Sequence, residues 1–459
     1  MNKKLYIIYL FATSLIFSGG CKDFLEVAPQ EGQVPSSEAL KNEQDLTNLL
    51  NSCYDLLAGG DDKIYGGRLQ VIQELLSDEL RGDNLTGDFG EIYNRKSSIF
   101  GDYKTGMYEN PYKVINRVNI VLEHLDLATT NGNSIEGQAK FLRALCHFEM
   151  VKLFAQPFGF TTDNSHLGVP LRSSSEPSTG TRPPVSDAYA FIIDDLKSAE
   201  SLLPDDNGNY ASIWAVKALL ARVYFQMNDY ANAYNYSNEV IESGNFTFDS
   251  DFATRFSPDG TPEAIFKLVN ESNLNRFNEL RNQFRSDGSS IPTLRISPSF
   301  FSTATSNPND RRNIWYTEVQ GFGVLTKYNS SVFELPVIHL TEMKLTRAES
   351  AGELNDAAKM AVGIQDINDI LARAYGSTVP PLATNSSSAL VITTARQQRI
   401  LEMVGEGDRL TQIKRIGASG ENVITRGAPW NCPGMVLQFP QAEIANSVDF
   451  PRNPEGGCN

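Results

Sequence analysis

The chain has 459 residues, 41% of them hydrophobic and 21% charged, with a formal net charge of −15. That length permits a large buried core and more than one domain, and so acidic a chain disfavours nucleic acid or an anionic lipid surface as a partner. Five cysteines are too few for a disulfide-built scaffold, no two of them have zinc-site spacing, and the four histidines are scattered with no HExxH.

The first element in chain order is a leader. Lys3 and Lys4 precede an apolar run at residues 5–17, and Ser18-Gly19-Gly20 supplies small residues directly before Cys21. This pattern predicts a secretory signal peptide over residues 1–20. The cysteine placed right after the small residues predicts a bacterial lipoprotein, with Cys21 acylated as the new N-terminus. Serine at 18 departs from the leucine usual at that place. Loss of the leader, with its two lysines, leaves 439 residues and takes the charge from −15 to −17. Several acyl chains hold such a protein to a membrane while the body behind them stays in water. No later segment has the run of apolar residues that a transmembrane helix needs.

Behind the leader helical periodicity dominates. Apolar runs at residues 46–57 and 134–154 place Cys53 and Cys146 inside helices, where a thiol is buried and inert. Residues 110–127 carry Val114, Val118, Val121, Leu122 and Leu125 on one face, and a further helix covers 186–203 up to Pro204. Residues 211–244 form the clearest unit: Leu220, Ala221, Tyr224 and Ala233 match the spacing of a tetratricopeptide repeat, with Asn228-Asp229-Tyr230 as its turn. Trp214 in this unit is expected in the core. One such unit cannot bury its face alone, so residues 134–154 with 186–203, and 340–354 with 357–375 and 393–416, are its expected companions. From 246 to 336 the helical pattern fades into Gly, Pro, Ser and Asn with isolated aromatics and strand-like runs at 264–269 and 324–328. The tail from 417 is again irregular. Cys432 and Cys458 lie in it, and an oxidising compartment predicts that they pair.

Taken in order, these residues resemble the SusD/RagB family of outer-membrane nutrient-binding lipoproteins. The resemblance rests on Cys21-Lys22-Asp23-Phe24-Leu25, on Arg143-Ala144 with Leu153-Phe154 and Val169-Pro170-Leu171, and on Leu345 to Glu349. It continues through Ile367-Asn368 with Arg373-Ala374, and through Arg399, Glu402, Glu406-Gly407, Arg409 and Arg415. It closes on Phe439-Pro440, Glu443-Ile444, Asn446 and Asn453-Pro454. Gln398, Ile400 and Gly405 depart from the family pattern. The resemblance implies a mainly α fold, a tetratricopeptide-repeat-like helical scaffold with an irregular, loop-rich ligand-binding subdomain. It divides the chain into the leader 1–20, a helical region 21–245, the subdomain 246–336, and a region 337–459 that closes the scaffold. It also implies a non-enzymatic, surface-exposed lipoprotein of the outer membrane that captures a glycan or peptide, needs no cofactor, and delivers its ligand to a SusC-like TonB-dependent transporter.

Sugars are held by aromatic faces together with amide and carboxylate groups. Trp315 and Trp430, in irregular segments, are the tryptophans expected to face solvent. The loop at 83–103 falls where family members have a binding loop, which makes Phe89, Tyr93 and Asn94 the implied contacts. Asp83, Asn84, Asp88 and Glu91 offer oxygens to calcium but fit no EF-hand spacing. Asp310-Arg311-Arg312 reads as an ion-paired turn, and Arg399, Glu402, Glu406 and Arg409 as structural ion pairs. Two other functions fit parts of the pattern: a tetratricopeptide-type envelope scaffold without a small ligand, and a helical hydrolase, which requires paired carboxylates across a cleft.

Overall fold

The computed structural model describes residues 40–458 apart from 60–63, 179, 272–273, 275, 287–290 and 448. The leader and Cys21 lie outside the described residues. The first half of the chain is helical: α1 (Glu43–Ala58), α2 (Leu69–Leu76), α3 (Gly87–Tyr93), α4 (Asp102–Glu123), α5 (Gly132–Phe154), α6 (Val185–Leu202), α7 (Ile213–Gln226) and α8 (Tyr230–Glu242). Helices α5 and α6, then α7 and α8, pack as consecutive pairs. In the second pair Leu220, Ala221 and Ala233 are fully buried, so the small residues let the two helices approach. Tyr224 stacks on Tyr236 with ring centroids 5.7 Å apart. Asp229 caps α8 by accepting a hydrogen bond from the Asn232 amide at 3.1 Å.

The C-terminal part adds α11 (Leu340–Leu354), α12 (Ala357–Tyr375), α13 (Ser388–Met403) and α14 (Arg409–Ala418). Helix α8 packs on α11, and α11 on α12 and α13, so the halves form one helical stack despite the interruption between them. Among the described residues no helix is long and apolar enough to cross a membrane.

Two helices differ from their sequence-based limits. Helix α4 begins at Asp102 rather than 110 and runs through Pro111, because Lys104, Met107 and Tyr108 extend its buried face upstream. The segment read as one helix over 393–416 is broken between α13 and α14. Gly405 and Gly407 there have φ of 78° and 82°, a left-handed backbone that a residue with a Cβ rarely adopts. The break turns the chain so that the Gly407 amide donates to Glu74 at 3.0 Å.

The interruption holds α9 (Asn278–Phe284), α10 (Pro298–Ala304) and four short strands: β1 (Ala264–Leu268), β2 (Tyr316–Val319), β3 (Phe322–Leu325) and β4 (Leu335–His339). Strand β1 pairs antiparallel with β4, and β2 with β3. The first strand-like run is thus a strand; the second lies two residues early and ends at Leu325, before Thr326. Strands β2 and β4 gave no clear sequence signal. A boundary at 336 falls inside β4, which leads directly into α11. Beyond α14, β5 (Ile424–Thr425) and β6 (Ala428–Pro429) form a hairpin, followed by α15 (Gln441–Asn446). Cys432 and Cys458 are joined by a disulfide with Cα atoms 5.3 Å apart, while Cys53 and Cys146 are buried free thiols. On the chain-entropy account a closure of this length restricts the unfolded tail by about 3 kcal/mol.

Buried charge ties the interruption to the helices. Glu402 accepts hydrogen bonds from Arg255 at 3.0 Å, Arg373 at 2.9 Å and Arg312 at 3.3 Å, and is fully buried. Burial alone would raise its pKa, but the charges of Arg373, Arg255 and Arg312 hold it down to about 2. Lys327 donates to the carbonyls of Glu402 and Val404 and to Glu406, at 2.8 to 2.9 Å. Arg399 is bidentate to Asp408 and Arg409 to Asp78. The Arg/Glu motif is therefore a set of structural ion pairs, as its position on a helix suggested.

Candidate ligand-binding cleft

The loop at 78–94 and the segment at 292–323 are brought together by backbone pairing. Leu80 and Ile296 form an antiparallel bridge, the Arg81 amide donates to the Arg295 carbonyl at 3.0 Å, and the Ser297 amide to the Glu79 carbonyl at 2.8 Å. Asn84 adds a side-chain hydrogen bond to the Thr293 carbonyl at 3.0 Å. Two features of the surface follow from this seam.

On one side of α10 lies a ledge. The Phe322 ring carries the guanidinium groups of Arg81 at 4.7 Å and Arg295 at 4.4 Å from its centroid. Arg81 is also bidentate to Asp83 at 2.6 and 2.8 Å. Phe301 of α10 packs on Gly323 behind it.

On the other side of α10 a cleft of about 460 Å³ opens among Phe300, Tyr375, Gln397, Leu401, Asp78 and Arg409. Its walls come from α10, the end of α12, α13, the start of α14 and the residues after α2. Phe300 is positioned by its capped helix: Pro298 opens α10, and the Ser297 hydroxyl accepts from the Phe300 amide at 3.3 Å. Tyr375 is held by its hydroxyl, which accepts from Arg312 at 2.6 Å, and Arg312 in turn grips Asp310 at 2.7 Å and Gln398 at 2.9 Å. Burial pushes the Asp78 carboxyl up, but the hydrogen bonds and charge of Arg409 outweigh it and leave the pKa below the ordinary value. The cleft thus offers half-buried aromatic and aliphatic surface beside amide and ion-paired groups. That combination, at this volume, suits a polar organic ligand with ring faces.

The residues singled out from sequence fall elsewhere. Trp315 is a correction: it is 2% exposed, donates from Nε1 to the Phe252 carbonyl at 3.0 Å, and has Lys327 and Arg255 over its ring. It cannot offer a face to a ligand, because the buried cations that cover it come from residues distant in sequence. Trp214 is a correction of the opposite kind. It is half-buried rather than in the core and lines a surface cleft beside Tyr210. Tyr93 has Arg426 over one face at 4.0 Å and packs directly on Gly82, so its ring is largely taken up. Phe89 packs edge-on to Tyr103, with centroids 4.8 Å apart, and Asn94 is exposed at the end of α3. Trp430 is half-buried on Gly417, with the Phe160 ring 6.3 Å away.

The calcium reading of 83–91 meets positive charge instead. Asp83 is paired with Arg81, while Lys104 lies 3.7 Å from Asp88 and 3.4 Å from Glu91. Among the described residues no group of three or more His, Cys, Asp or Glu is placed to hold a metal. Phe300, Phe322, Arg81 and Arg295 were missed. The only available signal was the local pattern Ser297-Pro298, which marks a helix start and says nothing of a ligand.

Fold and cleft together define a helical-repeat protein with an irregular subdomain set into the stack. Residues 23–225 match a family model described as "Starch-binding associating with outer membrane", and residues 302–446 match that of the SusD family. The chain belongs to the SusD/RagB family. A SusD-like protein, P25, of Formosa agariphila is 23% identical over 283 residues, which is 57% of this chain and 51% of that protein. The chain spans about half the length of the curated relatives it matches. A SusD superfamily protein from Bacteroides vulgatus has the same fold, with a TM-score of 0.80 at 20% identity over 90% of this chain and 99% of the other. Surface glycan-binding protein A from Bacteroides thetaiotaomicron, solved in complex with laminarihexaose, gives a TM-score of 0.72 at 18% identity, over 90% and 100% of the two chains. The tetratricopeptide-like helical scaffold is the fold of this family.

Proposed function

We propose that the protein is a cell-surface lipoprotein of the outer membrane that captures a glycan nutrient in the cleft beside α10. It then hands the glycan to a SusC-like TonB-dependent transporter. The observation that carries the capture step is the cleft itself, where Phe300, Tyr375 and Leu401 stand beside Gln397 and the Asp78–Arg409 pair. A sugar ring stacks by its apolar face on the first group and hydrogen-bonds through its hydroxyls to the second. The laminarihexaose complex of a protein with the same fold supports a glycan over a peptide.

The same geometry supports binding without turnover. Glycoside hydrolysis needs one carboxylic acid and one carboxylate flanking the scissile bond. The carboxylates lining this cleft are Asp78 and Asp310, each tied to an arginine, Asp78 to Arg409 and Asp310 to Arg312. The lipid anchor rests on Cys21 and the leader before it. Two measurements test the placement and the partner. A Cys21→Ser protein is expected to lose a metabolic acyl label on intact cells, and continued labelling contradicts the anchor. Affinity capture of the tagged full-length protein from detergent-solubilised outer membranes is expected to bring down a large TonB-dependent barrel. Capture of no barrel favours the envelope-scaffold alternative.

A further inference from the structure

A second cleft lies on the repeat that the sequence made clearest. The loop between α6 and α7 and the start of α7 form one wall, with Asp205, Asp206, Asn207, Asn209, Tyr210 and Trp214; Asn245, Phe246 and β1 form the other. Its volume is about 380 Å³, room for roughly one or two sugar rings.

The aromatic wall is held open. Tyr210 is 41% exposed, and its inner side meets Tyr54 edge-on at 5.0 Å between centroids. Tyr54 is fixed in turn: its hydroxyl donates to Gln138 at 3.0 Å and accepts from the Ala211 amide at 3.2 Å. The Asn207 side chain bonds the Ala211 carbonyl at 2.8 Å and the Ile213 amide bonds the Pro204 carbonyl at 3.0 Å, which ties down both ends of the loop. Trp214 adds a second ring whose Nε1 is buried and has no hydrogen-bond partner.

The charges are one-sided. Asp205 and Asp206 are exposed at the mouth. The nearby cations are already matched: Lys267 pairs with Glu334 at 2.7 Å, and Lys217, beside the Trp214 ring, pairs with Glu200 and Glu239. The opening therefore repels anions. Carboxylate and amide groups accept hydrogen bonds from sugar hydroxyls, while two rings offer stacking faces.

We propose that this cleft is a second saccharide site, separate from the one beside α10, which takes a neutral pyranose of a glycan and excludes anionic sugars. It rests on the glycan reading of the protein but on none of the same residues. Two sites on one chain make binding of a polymer multivalent, so the loss of one lowers apparent affinity for a long glycan by more than its own weak affinity suggests.

Calorimetric titration of the detergent-solubilised full-length protein tests this. The neutral probes are laminarihexaose, cellohexaose, maltohexaose and xylohexaose, and the anionic probe is hexagalacturonate. The expected result is two binding events with at least one neutral probe. Tyr210→Ala should weaken one event about tenfold and leave the other unchanged, while Phe300→Ala weakens only the other, about five- to tenfold. Trp214→Phe keeps a ring but shrinks the stacking face, so it should weaken the same event as Tyr210→Ala by a smaller factor. Melting curves exclude unfolding, and Trp214→Phe serves if Tyr210→Ala unfolds. A single event sensitive to Phe300→Ala alone overturns this proposal and leaves the α10 cleft standing. A single event sensitive to Tyr210→Ala alone sustains it and removes the α10 cleft. Failure of all four neutral probes overturns both, and equal binding of hexagalacturonate at the Tyr210 event overturns the stated selectivity.

Discussion

The α7–α8 pair and the subdomain between α8 and α11 are held by different physics. In the pair, alanines at 221 and 233 are fully buried and two tyrosines stack, so cohesion comes from residue size at fixed helical spacing. In the subdomain, Arg255, Arg312 and Lys327 reach into the helices and meet Glu402 and Glu406, residues 75 to 147 positions away. The first kind of cohesion repeats along the chain and can be read there. The second is a set of long-range pairs between residue types that are ordinarily at the surface.

The contrast breaks most visibly at Glu402. Glu402→Ala leaves three arginines buried without their shared counter-charge, and the expected cost is about 3–5 kcal/mol, measured by chemical denaturation. A loss under 1 kcal/mol indicates that water already reaches the network.

Acid acts differently on the ion network around Glu402 and on the helical stack at His147. Glu402, with its pKa at about 2, stays ionised until the pH falls far below the ordinary value of 4.5. Its contribution is therefore retained at pH 4.5 and above and lost on the way down through about 2. His147 of α5 behaves otherwise. It bonds the Arg143 carbonyl through Nδ1 at 2.9 Å and accepts the Arg172 amide at Nε2 at 3.2 Å, which requires a neutral ring. Burial is the main cause that lowers its pKa from 6.5 to about 3. Between those values the unfolded chain binds the extra proton, so stability falls as pH drops, by about 1.4 kcal/mol per pH unit from this group. Denaturation of the wild type and of His147→Gln at pH 7 and pH 5 should show a smaller pH dependence in the variant. Identical slopes contradict the neutral buried ring.

The helical pair gives the smaller effect. Ala233→Leu forces α7 and α8 apart and should cost about 1–3 kcal/mol by overpacking. A melting curve checks this, and an unchanged midpoint shows that the pair is looser than its buried alanines imply.

This difference also explains what was legible in the sequence. Leu220, Ala221, Tyr224 and Ala233 announced their helices because each sits at a set spacing from the others. The burial of Glu402 and its neighbours was legible only as a motif on a helix. The break after α13 was obscured because Gly405 and Gly407 lie inside an otherwise periodic run, where their left-handed backbone is a tertiary requirement. Strands β2 and β4 are too short to establish an alternation. Trp315 was misplaced for the same reason as the ion network: the cations that bury it are brought in by the fold. The cleft was the least legible feature. Phe300 acquires its neighbours Tyr375 and Leu401 only when α10 is laid against α12 and α13, and Trp214 looked like core because the opposing wall, Phe246 and β1, lies outside its repeat.

The proposed function stands first on capture of a glycan in the cleft beside α10. The most direct measurement is titration of wild-type and Phe300→Ala protein with the neutral hexasaccharides, paired with melting curves of both. The expected result is an affinity lowered about five- to tenfold, ~1–1.5 kcal/mol, at an unchanged melting temperature. A lowered melting temperature with unchanged affinity would make Phe300 a packing residue and contradict the assignment of the cleft.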